Sequence, residues 1–343
     1  MSPMTPANQP AQAFVFPAVS VIMPILNEER HLEEAVEAVL GQDYPGPIEL
    51  ILALGPSRDH TDEIASRITE IESQVRTVQS PSGRTPDALN AALAECRNEI
   101  VARVDGHGIL DRDYVSTAYQ LLQETGAANV GGLMDAQGVT PFERAVAAAM
   151  TSRLGVGAAR FHTGGDPGVA DTVYLGVFRR EWLDRLGGYD PRFVRAQDWE
   201  LNHRIREAGG VVWFSPRLRV SYRPRPSLAA LARQYRDYGR WRRVVARTHR
   251  GTINARYLAP PTVLVAVAAG AVLGFFWPLA WVVPIGYFAA TALGGLTMSG
   301  DLTLRERLML PVVLPTMHLS WGWGYLTSRV RIGAQPSAQA TIR

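Results

Sequence analysis

The sequence predicts an α/β protein in which a Rossmann-like, mostly parallel sheet is followed by C-terminal transmembrane helices. Two features lead to this prediction. Short β-branched runs alternate with amphipathic helical patterns in the N-terminal part, which favours a parallel sheet with helices on both faces. The last third is much more apolar and contains runs about as long as a helix that crosses a bilayer.

Three amphipathic helices separate four predicted strands. The strands cover residues 18–23, 48–54 and 75–78, with a fourth run that ends at Asp105. The helices cover residues 62–71 and 87–96, after a first one that keeps its 3.6-residue period up to Gly41. Asn27 and Glu28 stand where the first helix is expected to be capped. This order places the carboxyl ends of the strands on one edge, where open sheets of this kind bind ligands.

Composition limits the classes of partner. The 35 basic residues are all arginine, but the formal net charge is only +3, so composition alone indicates no nucleic-acid partner. Cys96 is the single cysteine, which excludes an intramolecular disulfide and a cysteine-based zinc site. Residues 1–17 lack the basic and apolar regions of a signal peptide, and we expect them to form a disordered leader.

The fourth strand stops abruptly at Val104-Asp105-Gly106-His107. Because residues two apart on a strand end leave the backbone on the same face, Asp105 and His107 can approach one point. A carboxylate oxygen and an imidazole nitrogen could there share one divalent metal ion. The alternative is an ordinary turn, since Asp-Gly and His-Gly commonly follow strands.

Segments within residues 18–250 resemble, in order, those of glycosyltransferase family 2. They read VSVIMPILNEE (19–29), RTPDALN (84–90), VDGH (104–107), VYLGVFRR (173–180), GGYD (187–190) and QDWELNHRI (197–205). The third has Asp-x-His where the family carries Asp-x-Asp, and so resembles the branch of succinoglycan-type exopolysaccharide glucosyltransferases. The resemblance implies a GT-A catalytic domain over residues 18–222 that binds a nucleotide-sugar at the carboxyl edge of the sheet.

The resemblance also implies roles for single residues. The nucleotide-sugar would contact Pro24, Asn27, Glu28, Arg84 and Asp105, with the guanidinium fork of Arg84 on the diphosphate. Asp105 and His107 would hold Mn²⁺ or Mg²⁺, which neutralises charge on the leaving nucleotide, and imidazole should favour Mn²⁺. Asn27 would serve equally as a plain helix cap, and Arg84 as a solvated loop residue.

The same resemblance makes Asp198 the general base that deprotonates the acceptor hydroxyl in an inverting transfer. Asp198 is also expected in the first turn of a helix, where a carboxylate is favoured without any catalytic role. Glu200 is the second candidate. The acidic residue that the family carries after the second strand, to recognise uracil, is replaced by Leu54. Either neighbouring groups hold the base, or the donor is not a standard UDP-sugar.

Residues 223–257 form a basic, amphipathic segment beside the apolar runs, with ten arginines and one acidic residue, Asp237. A nucleic-acid surface is one interpretation. Arginines next to a membrane span mark its cytoplasmic side, however, and Trp and Tyr suit the headgroup layer, so the segment needs no nucleic acid. Gln234 and Trp241 match a shortened form of the family's Gln-x-x-Arg-Trp element, which implies that both lie on the acceptor side.

We expect a membrane region over residues 258–328. Residues 258–276 and 279–296 are each long enough to span, whereas residues 308–326 form a weaker segment with a histidine and two prolines. Three spans would place the tail, residues 329–343, outside the cell. Arg329 and Arg331 disfavour that, which leaves an interfacial third segment open. The alternative to all three spans is a set of buried helices in a soluble domain.

These features predict a membrane-anchored inverting glycosyltransferase of a bacterial inner membrane, with its catalytic domain in the cytoplasm. It would transfer a sugar, expected to come from a UDP-hexose, to a lipid-linked or polysaccharide acceptor in exopolysaccharide or cell-envelope glycan synthesis. No nucleic-acid partner is expected. Two alternatives are a non-catalytic membrane scaffold that keeps the nucleotide-binding fold, which Leu54 favours, and an enzyme that transfers the sugar directly to polyprenyl phosphate.

Overall fold

A computed structural model describes residues 16–298 and 300–332 of the chain. Most of the predicted leader and of the predicted tail lies outside these described residues. The N-terminal half of the sheet is parallel, as predicted, and its strands lie in the order β3-β2-β1-β4. Its strands are β1 (Val19–Ile25), β2 (Ile48–Leu54), β3 (Val75–Gln79) and β4 (Ile100–Arg103), and its helices are α1 (Leu32–Leu40), α2 (Thr61–Ile71) and α3 (Thr85–Glu95).

Beyond β4 the sheet becomes mixed, so the prediction of a mostly parallel sheet describes the N-terminal half better than the whole. β8 runs antiparallel to both β4 and β6, while β9 runs parallel to β6 and antiparallel to the short β5 and β7. The elements are β5 (Ile109–Leu110), α4 (Tyr114–Thr125), β6 (Asn129–Ala136), α5 (Pro141–Met150), α6 (Arg153–Val156), α7 (Arg160–Thr163), β7 (Gly168–Val169), β8 (Tyr174–Arg179), α8 (Arg180–Leu186), α9 (Gln197–Glu207) and β9 (Val212–Tyr222).

The sheet is covered on both faces, as its apolar strands require. Successive residues of β4 point to opposite faces, so Ala102 packs in one apolar cluster and Val101 in another. The first cluster contains residues of α1, α2 and α4, and the second contains residues of α3, α8 and α9. The helix α9 is therefore held by the same core that positions the end of β4.

The C-terminal part is helical and packs on the sheet through α5. It comprises α10 (Leu228–Thr248), α11 (Ala255–Leu273), a 3₁₀ turn (Pro278–Trp281), α12 (Val282–Leu296), α13 (Leu304–Arg307) and α14 (Leu310–Thr327). Glycines let α10 and α14 approach closely. A Cβ atom on Gly239 would lie 1.9 Å from the carbonyl oxygen of Trp321, and one on Gly324 would lie 1.9 Å from that of Arg236.

Two described helical segments, Ala255–Leu273 and Pro278–Leu296, are long and apolar enough to cross a membrane. Each has 19 residues. The most apolar 18-residue stretch has a mean hydropathy of 1.5 and is 11% buried in the first segment, and has a mean hydropathy of 1.6 and is 17% buried in the second. The two run as a hairpin whose tip, Phe275 to Trp277, is exposed. The third apolar segment, α14, does not meet the same test; Val313 and Met317 on it are buried in a cluster with α5 and α10.

The chain that follows α14 returns to the catalytic side of the molecule. Arg247 of α10 donates to the carbonyl oxygen of Ser328 at 3.1 Å, and Val330 packs against a cluster that contains Phe193 and Val244. A second contact joins α9 to the base of the hairpin, because the guanidinium of Arg242 lies 4.1 Å from the ring centre of Trp199 and 3.7 Å from that of Tyr257.

Candidate active site

A cleft of about 860 Å³ opens at the carboxyl ends of β1 and β4 and is closed on the far side by the end of β9. Six residues predicted for the donor or the metal line it, namely Pro24, Asn27, Glu28, Arg84, Asp105 and His107. Pro24 lies near the end of β1, and the other five come from the loops after β1, β3 and β4, which the parallel order of those strands brings to one edge. This is where an open α/β sheet is expected to hold a ligand.

The loop after β1 is held by the loop after β2. The backbone N–H of Asn27 donates to the Ser57 hydroxyl at 3.1 Å, and that of Glu28 donates to Thr61 Oγ1 at 2.8 Å. Asn27 has a left-handed backbone with φ of 57°, and its side-chain oxygen accepts from the backbone N–H of Arg58. The prediction that Asn27 caps α1 is wrong, because α1 begins at Leu32 after His31. The side chain of Asn27 instead joins two loops at the rim of the cleft.

Arg103, which the sequence analysis did not single out, joins two predicted site residues. It is the last residue of β4 and its side chain is only 3% exposed. Its Nη2 donates to Oδ1 of Asp105 at 2.8 Å, and its Nη1 donates to Oδ1 of Asp198, which lies 95 residues further along the chain. The side chains of Asp105 and Asp198 remain 21% and 29% exposed. One buried guanidinium therefore brings the predicted metal ligand and the predicted base together.

The charges around Asp105 keep its carboxylate ionised. Burial alone would raise the pKa of Asp105, but the charges of Arg103 and His107, the hydrogen bond from Arg103 and the charge of Arg195 outweigh it and hold the pKa below its usual value. Burial likewise opposes the charge on Arg103, and the neighbouring carboxylate of Asp105 raises the pKa of that guanidinium. Asp105 is therefore available as an anionic oxygen ligand at neutral pH.

His107 is oriented by Glu28. The Nδ1 atom of His107 lies 2.8 Å from Oε1 of Glu28, and this hydrogen bond raises the pKa of the imidazole against the opposing effect of burial. When Nδ1–H donates to a carboxylate, Nε2 is the nitrogen left to bind a metal ion. Among the described residues, no group of three or more His, Cys, Asp and Glu side chains converges as a metal cage. Two protein ligands, with substrate phosphate and water completing the shell, are typical of Mg²⁺ sites in phosphate chemistry.

The helix α9 presents Asp198 in its first turn and is anchored by its other polar residues. Its N-cap is Ala196, with φ of 61°, and not Asp198, whose side chain is therefore not needed for capping. Asn202 accepts from the side-chain amide of Asn129 at 2.7 Å, which fixes the helix to β6. Glu200 is 1% exposed and makes a two-point ion pair with Arg204 at 2.8 Å, so it is a structural residue and not an accessible base.

A second motif pair positions the chain that leads into α9. The side-chain oxygen of Asn90 accepts from the backbone N–H of Tyr189 at 2.8 Å, and its amide donates to the Tyr189 carbonyl at 2.7 Å. Gly188 lies so close that a Cβ atom there would be 2.5 Å from the Asn90 side-chain oxygen, and its φ of 71° also suits glycine. The RTPDALN and GGYD segments are thus joined directly, and the second of them leads into α9.

Several cationic side chains of the cleft were missed or given another role by the sequence analysis. Arg30 and Arg195 line it and were not predicted. Arg223 and Arg225 also line it, although they fall in the segment predicted to be interfacial. Arg84 is half exposed and pairs with Asp87, with Nε 2.8 Å from Oδ2. Arg223 and Arg225 stand next to prolines at the end of β9, whereas Arg30 and Arg195 carry no local signal that separates them from the other arginines of the chain.

Gln234 and Trp241, predicted on the acceptor side, are not among the residues that line the cleft. Gln234 lies directly behind its wall and donates to the hydroxyls of Tyr222 at 2.7 Å and Tyr238 at 2.9 Å. Trp241 packs partly buried beside Phe193 in the cluster at the α10 C-terminal half. Their roles toward an acceptor stay predictions.

Leu54, which replaces the family's acidic residue, is 5% exposed and packs in the core at the end of β2. The surface beside it is formed by Gly55, Gly83 and Leu26, which line the cleft and lie in mutual contact. Leu26 is a large apolar side chain that is 40% exposed there. This corner of the cleft therefore offers backbone groups and an apolar surface, with no carboxylate at position 54.

Comparison with known proteins agrees with this geometry. Residues 20–187 match the family model "Glycosyl transferase family 2". The chain is 32% identical over 308 residues to succinoglycan biosynthesis protein ExoA of Rhizobium meliloti, which covers 89% of this chain and 93% of that protein.

Two further similarities are more distant. The dolichyl N-acetyl-alpha-D-glucosaminyl phosphate 3-beta-D-2,3-diacetamido-2,3-dideoxy-beta-D-glucuronosyltransferase of Methanococcus voltae is 22% identical over 71% of this chain and 77% of its own length. The mannosyltransferase PcManGT from Pyrobaculum calidifontis, solved in complex with GDP-Man and Mn²⁺, superimposes with a TM-score of 0.57 at 21% identity, over 91% of this chain and 87% of that one.

The last similarity identifies the fold of the catalytic part as GT-A, as predicted. The extensive identity to the Rhizobium meliloti protein, together with the family match, confirms the family and the branch that the sequence motifs indicate. The chain belongs to glycosyltransferase family 2 and is a glycosyltransferase with relatives in exopolysaccharide and glycan synthesis.

Proposed function

We propose that this glycosyltransferase takes a hexose from a nucleotide-sugar, expected to be a UDP-sugar, and transfers it with inversion to a lipid-linked or polysaccharide acceptor. It acts at the cytoplasmic face of a bacterial inner membrane, in exopolysaccharide or cell-envelope glycan synthesis. Two relatives support this: one is a succinoglycan biosynthesis protein, and the other is a dolichyl N-acetyl-alpha-D-glucosaminyl phosphate glucuronosyltransferase.

The observation that carries the proposal is the bridge that Arg103 makes between Asp105 and Asp198. Arg103 and Asp105 line the cleft; Asp198 does not, but Gln197, the residue before it, does. In the transfer, the acceptor oxygen forms a bond to the anomeric carbon while the bond from that carbon to the nucleoside diphosphate breaks. Asp198 takes the proton of the acceptor hydroxyl, and the diphosphate leaves with the bonding electron pair. The charge-assisted hydrogen bond from Arg103 holds the carboxylate of Asp198 in place for this role.

A divalent metal ion fits the residues present. Asp105 is anionic, and the hydrogen bond from His107 to Glu28 leaves an imidazole nitrogen to bind, so these two residues would hold Mn²⁺ or Mg²⁺. When bound, the ion would supply positive charge against the leaving diphosphate. Arg84, Arg195 and Arg225, which line the same cleft, add cationic groups that can position the phosphates.

The hairpin of α11 and α12 supports the proposed membrane anchoring. Nineteen helical residues measure about 28 Å, close to the thickness of the hydrocarbon core. Two spans return the chain to the side it left, so α10 and the residues after α14 share a side with the catalytic domain. Arg247 and Arg329 then both lie on the cytoplasmic side, which agrees with the positive-inside rule. A third crossing by α14 is not part of this proposal.

Leu54 is the observation that favours the non-catalytic scaffold as a second candidate, because the usual base-recognising carboxylate is absent at that position. A scaffold, however, has no use for a buried arginine that holds two carboxylates at the cleft. Transfer directly to polyprenyl phosphate uses the same donor side and differs only in the acceptor. The nature of the acceptor product therefore separates the two enzymatic alternatives.

The test uses membranes that contain the full chain, a panel of nucleotide-sugars and Mn²⁺. We expect sugar transfer with one donor, and its loss in Asp105→Asn and in Asp198→Asn. The surface substitution Asp184→Asn, on an exposed residue of α8, is the matched control and should leave transfer unchanged. Activity that survives both site substitutions would reject the site, and nucleotide binding without transfer of any sugar would favour the scaffold.

A further inference from the structure

A second cavity, of about 370 Å³, lies among α10, α11 and α14, away from the catalytic cleft. We call it the interhelical groove; it is lined by Ala232, Arg233, Arg236, Leu264, Leu319, Ser320 and Trp323. Its walls are mainly apolar, and two arginines stand at its edge. The composition is that of a site for a molecule with a long apolar part and an anionic head.

The two arginines have no partner within the described part of the chain. Arg233 and Arg236 are three residues apart, so they lie on the same face of α10, and both are exposed. Neither makes an ion pair or a side-chain hydrogen bond there, unlike Arg242 and Arg247 further along the helix. Asp237, the single acidic residue of α10, does not line the groove. Two unpaired guanidinium groups at this point suit a phosphate or diphosphate.

The apolar wall of the groove continues into the membrane hairpin. Leu264 belongs to α11, the first of the two helices long enough to span, and its neighbour Val265 is exposed. Trp323 of α14 lines the groove with Leu264, is 56% exposed, and extends this apolar wall. A molecule that packs against this apolar wall needs a hydrocarbon chain that reaches into the bilayer. Free phosphate has no such chain, so the groove favours a lipid whose head carries the phosphate.

The groove lies close enough to the cleft to serve the transfer. Pro226 lines the cleft and Arg233 lines the groove; the two are seven positions apart, mostly within α10, which is about 10 Å along a helix. Gln234, the residue after Arg233, donates to the hydroxyl of Tyr222, which lines the cleft. A glycan whose phosphate is held in the groove would therefore extend along the first turns of α10 to reach the cleft.

We propose that the interhelical groove binds the lipid-linked acceptor, with its phosphate on Arg233 and Arg236 and its hydrocarbon chain along Leu264. This inference rests on the proposed transfer to a lipid-linked acceptor and names the surface that recognises it. The groove explains why α10 carries unpaired arginines on the face that meets the hairpin. It also gives α14 a role, as one wall of an acceptor site and not as a third span.

The experiment measures binding and needs no donor. The full chain is placed in phosphatidylcholine nanodiscs with a polyprenyl phosphate that carries a photoreactive group near its head. We expect labelled peptides from α11 and α14, and competition by unlabelled polyprenyl phosphate but not by phosphatidic acid. A basic residue near an anionic lipid contributes about 1 kcal/mol, so Arg233→Gln and Arg236→Gln should each weaken half-saturation about 5-fold, and the pair about 25-fold.

Arg240→Gln is the matched control, because Arg240 is an exposed arginine of the same helix that lines neither cavity. It should leave labelling unchanged. Unchanged labelling in the double variant, an equal loss in Arg240→Gln, or equal competition by phosphatidic acid would each overturn the proposal. Failure of the wild type to transfer sugar from any donor would instead contradict the proposed function, and the binding result would be unaffected by it.

Discussion

Replacing Arg103 by methionine should destabilise the catalytic domain strongly. The substitution keeps much of the side-chain length but leaves Asp105 and Asp198 without their shared cation. Removing one partner of a buried ion pair costs about 3–5 kcal/mol. Because the two carboxylates are 21% and 29% exposed, water can recover part of this loss, and we expect about 2–4 kcal/mol. For a domain of this size that is a fall in Tm of roughly 5–12 °C.

The loss should depend on pH in a defined direction. The pKa of Asp105 in the folded protein is below its ordinary value of 3.8, so its stabilising contribution is complete above about pH 4 and is lost as the pH falls through the folded-state pKa. The difference in Tm between wild type and Arg103→Met should therefore be largest at neutral pH and shrink below pH 4. Thermal unfolding of the purified chain in detergent at both pH values measures it.

Two further variants make this test specific to the bridge. Adding Asp105→Asn and Asp198→Asn to Arg103→Met removes the uncompensated charges and should restore most of the lost Tm, since the three residues are directly coupled. Arg67→Met breaks an exposed ion pair with Glu33 and should cost less than about 1 kcal/mol. An Arg103→Met protein as stable as Arg67→Met, or a loss of equal size at low pH, would refute the reasoning.

Three other predictions concern the metal, the helix packing and the membrane. Glu28→Gln removes the carboxylate that lies 2.8 Å from the imidazole of His107 and orients it. The substitution should weaken Mn²⁺ binding about 10- to 100-fold, measured by calorimetric titration in the presence of nucleotide. An unchanged affinity would contradict this role of Glu28. Gly239→Ala places a methyl group 1.9 Å from a carbonyl oxygen of α14 and should lower the free energy of unfolding by about 1–3 kcal/mol. The control Gly286→Ala, whose added Cβ atom would have nothing within 4 Å, should leave thermal unfolding unchanged. Equal effects of the two variants would count against close α10–α14 packing. Phe276→Cys at the hairpin tip should react with a membrane-impermeant maleimide in intact cells, while the buried native cysteine stays unlabelled; protection at the tip would reject the two-span topology.

The N-terminal strands and helices are predictable from local pattern, because each strand is a β-branched run that ends on turn residues. The observed β1 continues past the predicted end at residue 23 to Ile25, through Pro24. The pairing of β1 with β4 ends near Ile22, whose carbonyl accepts from the backbone N–H of Val104. Pro24 therefore lies beyond the end of β4, and the N–H that proline lacks is not needed for a hydrogen bond between the strands. Local sequence could not reveal that neighbour.

The directions of the strands after β4 could not be predicted from the sequence for a related reason. β8 is short, apolar and 71 residues or more from β4, and a buried strand looks the same in either direction. Its antiparallel pairing with both β4 and β6 follows from where the intervening helices bring the chain. The sequence likewise left open whether residues 308–326 span, because the packing of α14 on α10 and α5 depends on the fold and not on local composition.

Site residues were predictable from the sequence where they directly follow a strand. They were not predictable where their role depends on a contact between residues far apart in the chain. Asp105 and His107 are visible because they directly follow a buried strand. Arg103 is not, because an arginine in a strand usually reaches solvent, and only the fold places Asp198 opposite it. Glu28 was expected on the nucleotide, whereas its carboxylate also contacts His107, 79 residues away.

The central claim is that Asp198 accepts the proton of the acceptor hydroxyl. The most direct measurement compares kcat and donor KM for wild type and Asp198→Asn with the identified donor and acceptor at saturating Mn²⁺. The asparagine keeps a side-chain oxygen that can accept from Arg103, so we predict an unchanged donor KM and a fall in kcat of about 10²- to 10⁴-fold. A kcat within a few-fold of wild type would show that another group takes the proton and would contradict the assignment.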